Sequence, residues 1–115
     1  MKLAMKIKLA DRVGNAAVDF LDGQALLNEI RPAIEAGEAI EVDFEGVEVF
    51  ASPFFNGSVA LLARDFEATL LNKNLIFTHL GQDGRTVARR SIENAKIARD
   101  PESLRQLAEA LKAGE

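Results

Sequence analysis

The chain has 115 residues, 48% of them hydrophobic, a formal charge of -4 and no cysteine. That supports one ordinary hydrophobic core and leaves little for a second domain. Charges of both signs are mixed along the chain, so a field that gathers nucleic acid or anionic lipid is not expected, and the absent thiols exclude disulfides, thiolate nucleophiles and cysteine-rich zinc sites.

Lysines at 2, 6 and 8 interrupt the first residues too often for a signal peptide's apolar segment, and no other stretch is long enough to cross a bilayer. A cytoplasmic protein is the expectation. Met5, Ile7 and Leu9 alternate with Lys6 and Lys8, the period of a strand with one wet face. A turn at Gly14-Asn15 precedes a weaker extended stretch over 16–20. Asp22 is read as the cap of a helix from Gly23, with Leu26, Leu27, Ile30, Ala33 and Ile34 on its buried stripe and Gly37 as its stop. Pro32 conflicts with that helix, because it lacks an amide proton and crowds the carbonyl four residues back; the expectation is a bend there or a later start.

Ile40 to Phe44 is the clearest strand, with Ile40, Val42 and Phe44 pointing one way and the carboxylates of Glu41 and Asp43 the other. A parallel strand covered on both faces reads as continuously apolar, so this pattern predicts helices on one face of the sheet and water or a partner on the other. Residues 47–50 read as a short extended segment. Ser52-Pro53 then carries helix-start chemistry, a capping hydroxyl followed by proline, and Phe55, Val59, Leu62, Ala63 and Phe66 continue as one buried stripe. Asn72 and Asn74 are placed in a turn, residues 75–80 in a strand, 81–84 in a loop, and Val87, Ala88, Ile92, Ala95 and Ala98 on a helix. Asp100-Pro101 marks the start of a C-terminal helical extension over 100–115, with Leu104, Leu107, Ala108 and Leu111 at helical spacing. Strands and helices alternate with short loops, which predicts a single two-layer α/β domain over 1–115 with a mixed, mostly parallel sheet and helices mainly on one face.

The segment from Val42-Asp43-Phe44 through Gly46-Val47 to Ala51-Ser52-Pro53-Phe54-Phe55 resembles the STAS superfamily, most closely its STAS-like bacterial domains of unknown function, and more distantly the anti-sigma factor antagonists. Over about residues 3 to 98 the order of elements is similar as well. In the antagonists, a serine or threonine at the start of the second helix is phosphorylated by a histidine-kinase-like ATPase. The resemblance puts Ser52 in that position. Ala51 stands where the family has aspartate, Pro53 and Phe54 where it has a second hydroxyl residue and glycine; Phe55 matches the phenylalanine of the STAS-like subgroup, and Ser58 occupies the place of an acidic residue. What this implies is a non-enzymatic regulatory domain that binds another protein through Pro53, Phe54, Ser58 and Glu48 and is switched by phosphate on Ser52. The departures leave a constitutive scaffold or homodimer without phosphorylation as the alternative. At a helix N-terminus a phosphate meets free amides and need not unfold the domain.

Adjacent helical residues diverge by about 100 degrees, so Phe54 and Phe55 are not expected to face the core together. Phe55 is assigned inward, and Phe54 either packs beneath the Phe50 loop or serves as a partly exposed anchor. His79 is the only histidine. Asp43 or Asp83 could complete a metal site with it only through a geometry that the sequence does not support, one imidazole without cysteine is a weak start, and no metal or other cofactor is expected. Asp43, Glu48 and His79 are the residues a small enzyme would use, the second function class; Asp43, Glu45 and Glu48 crowd one strand end. Arg85, Arg89, Arg90, Lys96 and Arg99 form the one basic concentration, read as a solvated helix face rather than a nucleic-acid surface.

Overall fold

A computed structural model describes residues 3–95. The C-terminal extension expected over 100–115, and Lys96, Ala98 and Arg99 of the expected helix, lie outside these residues. Three parallel strands, β1 (Leu3–Lys8), β3 (Ala39–Asp43) and β5 (Leu75–Thr78), form the main sheet in the order β1-β3-β5. Its register aligns Lys8 with Asp43 and Asp43 with Thr78, and backbone bonds from Leu9 to Asp43 and from Phe44 to Thr78 extend the ladder past the strand ends. The two residues of β2 (Ala16–Ala17) pair in parallel with β4 (Val49–Phe50) as a separate small sheet. The predicted second strand over 16–20 is therefore real but shorter.

Asp19, not Asp22, caps the first long helix, α2 (Phe20–Glu35): its backbone is extended and its carboxylate accepts the Leu21 amide at 3.4 Å. A one-turn helix, α1 (Ala10–Val13), precedes it. Helix α2 does not start late: it begins at Phe20 and runs on through Pro32 to Glu35. Pro32 and Asn28, whose carbonyl it orphans, are both exposed, where water can donate to that carbonyl instead. The end is a Schellman arrangement, with Gly37 at φ 75° donating to Ile34 and Glu38 donating to Ala33.

After β4 the predicted single helix is broken in two, α3 (Ser52–Asn56) and α4 (Val59–Asp65). Gly57 and Ser58 make the break. A Cβ on Gly57 would sit 2.6 Å from the Phe20 carbonyl oxygen, so glycine is what lets the end of α3 lie against the start of α2. Gly23 does the same from the other side, its missing Cβ making room for the Phe54 carbonyl. Residues expected in a turn, Asn72 and Asn74, instead end helix α5 (Ala68–Asn74). The expected loop over 81–84 is mostly the first turn of α6 (Gln82–Asn94), with Gly84 packed against Leu80 and Phe50.

Ile7, Ile40, Val42 and Phe44 face the helices and are at most 1% exposed, joined by Leu26, Ile30, Ile34, Phe55, Leu62, Leu71 and Ile92 in one core. The other face of the sheet carries Lys6, Glu41, Thr78 and Ile76. This is the two-layer arrangement that alternation predicts, with one exception. Asp43 belongs to the polar face but is only 3% exposed.

Candidate functional site

Two strand-to-helix turns carry the residues singled out by the sequence. At the first, the Ala51 amide donates to the Ala17 carbonyl at 3.1 Å, so the turn leaving β4 runs beside the turn leaving β2. Ala51 holds the cap position in extended conformation without a side-chain bond, and Ser52 is already the first helical residue. Its capping role is thus corrected: the hydroxyl sits exposed one residue inside the helix. Pro53 is exposed beside it, and Glu48 is exposed on the approach, where its amide donates to Asn15.

Phe54 and Ser58 do not belong to this surface. Phe54 is 0% exposed, and its ring meets that of Phe55 edge-on with centroids 5.2 Å apart. Both adjacent rings are buried because α3 has a neighbour on each side, α2 at Gly23 and the Phe44–Phe50 cluster across it. Ser58 is 2% exposed and donates to the Phe54 carbonyl at 2.9 Å, closing the end of α3. A partner therefore meets neither side chain in this conformation. What the sequence reading missed lies next door: Phe20 is 41% and Leu21 69% exposed at the start of α2, and Val49 is 51% exposed three residues before Ser52. Their signal was present in Asp19, whose capping of α2 puts Phe20 and Leu21 in the first turn rather than in a strand.

The second turn follows β5. Strand alternation assigns His79 to the core-facing side with Leu75 and Phe77, but His79 is the only non-glycine residue with positive φ among the described residues, at 56°. That left-handed step breaks the alternation and brings Nδ1 to within 2.8 Å of Oδ1 of Asp43. The Glu45 amide donates to the same oxygen at 3.0 Å, and the Lys6 ammonium lies 3.9 Å from Oδ2. The Glu45 amide, His79 and Lys6 hold the Asp43 carboxyl below its ordinary range despite the opposing effect of burial. Because Asp43 is ionised, the proton of the 2.8 Å contact belongs to Nδ1 of His79. Glu41 beside it accepts from the Thr78 hydroxyl at 2.7 Å and lies 3.7 Å from the Lys6 ammonium.

Of the residues proposed for enzyme chemistry, the fold brings Asp43 and His79 together and adds Glu45, whose carboxylate lies within 4.8 Å of both. Glu48 takes no part in this cluster, and neither does Asp83. Arg85 is buried whereas Arg90 is exposed, so the basic residues of α6 do not form one solvated face.

A parallel sheet with helices packed against one face fits a STAS-like fold. The model of the family described as a STAS-like domain of unknown function matches residues 22–85, more than half of the chain, and the chain belongs to that family. No curated protein and no solved structure matches it. Among the described residues, no helix is long and apolar enough to cross a membrane.

Proposed function

We propose that this domain is a non-catalytic cytoplasmic regulator that binds another protein through the paired turns after β2 and β4, and that phosphate on Ser52 opposes this binding. The carrying observation is that Phe20 and Leu21 are exposed at the start of α2, which packs on α3 at Gly23 and Gly57, and that Ser52 and Pro53 are exposed at the start of α3. Large apolar groups next to a hydroxyl suit a surface that is dry when bound and is disrupted by about two added charges. Glu48 supplies a charged edge, Pro53 an exposed apolar contact, and Phe54 supports the surface from below. By resemblance, a histidine-kinase-like ATPase is the partner that would both bind and modify the turn; any nucleotide would belong to that partner.

The test is a pull-down from native lysate with wild type, Ser52→Ala, Ser52→Glu and Leu21→Asp as baits, together with the intact mass of the natively expressed chain. A partner retained by wild type and Ser52→Ala but lost with Ser52→Glu and Leu21→Asp, with an adduct of about 80 Da, supports the switch. Equal capture by all four baits and no adduct would replace it with a constitutive scaffold that uses another face.

A further inference from the structure

We propose that Asp43, Glu45 and His79 form a binding site for a divalent first-row transition ion, with zinc as the ion to test. The site stands apart from the Ser52 turn and does not depend on it. Nδ1 of His79 and Oδ1 of Asp43 are 2.8 Å apart. Two ligands that each bind a tetrahedral zinc at about 2.0–2.2 Å are separated by roughly 3.4 Å along their shared edge, so an ion can replace the bridging proton once the two groups part by roughly half an ångström. The imidazole then carries its proton on Nε2. His79 has a 60% exposed side chain, so that proton meets water. Glu45 is exposed and supplies the third donor from within 4.8 Å, and water completes the coordination.

The three donors differ in what holds them. Asp43 is a buried carboxylate on a sheet face that is otherwise wet, its Oδ1 accepting from the Glu45 amide at 3.0 Å and facing Nδ1 of His79. Its Oδ2 has the Lys6 ammonium only at 3.9 Å, beyond hydrogen-bond distance. His79 is delivered by a left-handed backbone, φ 56°, that residues other than glycine rarely adopt, and in that conformation its ring contacts Asp43. One nitrogen with two carboxylate oxygens suits zinc, cobalt or manganese, whereas magnesium and calcium prefer oxygen alone. Lys6 is the built-in competitor, since its charge repels a cation at Asp43.

The full 115-residue chain, stripped with a chelator, is titrated with zinc chloride and separately with magnesium chloride by calorimetry, while the imidazole nitrogen resonances of its single histidine are followed. One saturable zinc site is expected, with the Nδ1 resonance shifted and no heat from magnesium over the same range. Affinity should fall about tenfold or more in His79→Gly and in Glu45→Gln, and should rise in Lys6→Met. His79→Gly removes the ligand at a position where glycine is unstrained, and Glu45→Gln changes an exposed group, so both variants should stay folded. Absence of saturable zinc binding, unmoved imidazole resonances, or unchanged affinity in either ligand variant would overturn the site.

Discussion

The turn after β4 and the turn after β5 both leave a parallel strand at its C-terminal end and enter a helix, yet they are built oppositely. The first keeps ordinary extended backbone through Ala51 and leaves Ser52 and Pro53 exposed at the helix start, three residues after the exposed Val49. The second uses a left-handed histidine and gathers Asp43, Glu45 and Lys6 around it. A surface of the first kind gains by losing water to a partner's apolar groups; one of the second kind holds charge and small polar ligands. Within the first turn a further contrast matters. Neighbouring residues divide between surface and core, with Ser52 and Pro53 outside and Phe54 and Phe55 inside.

That division can be broken most severely at Phe54. Phe54→Ala should cost about 3–5 kcal/mol of stability, measured by denaturant unfolding, while Pro53→Ala should change it by less than about 0.5 kcal/mol. If instead Phe54→Ala left stability intact and weakened only partner binding, Phe54 would be a surface anchor after all.

The charged turn is sharpened by acid. The pKa of Asp43 is lowered in the folded state, first by the Glu45 amide and then by His79 and Lys6, so the unfolded chain binds more protons near its own value of about 3.9. The stabilisation is complete above that value and is lost as pH falls through the lower folded pKa. Melting temperature should therefore drop on going from about pH 5 to about pH 3, and Asp43→Asn should flatten that drop. Asp65 is shifted the same way by Arg64 and Arg31, but it is partly exposed, and Asp65→Asn should flatten the profile less.

The smallest effect on stability belongs to the apolar rim. Leu21→Asp removes a side chain that is 69% exposed, and stability should stay within about 0.5 kcal/mol of wild type while partner capture is lost. A large loss of stability would mean that Leu21 packs rather than waits for a partner.

Where the next neighbour in the chain settles a residue's environment, the sequence by itself determined it. Alternation in Met5–Leu9 and Ile40–Phe44 set which face of β1 and β3 is buried, helical spacing set the inner stripe of α2, and Gly37 set its end. The family resemblance at 42–55 was legible for the same reason, since it lies in a contiguous segment. Where elements distant in sequence meet, only the tertiary structure decided the outcome. Phe54 is buried because α2 lies over α3 at Gly23, a contact between residues about thirty apart in the chain. The break at Gly57 and Ser58 follows from the approach of Phe20. His79 leaves its strand face because Asp43, on another strand, offers a charged partner for its ring. Local periodicity carries no information about such partners, because the energy that overrides it comes from packing and charge supplied by another part of the chain.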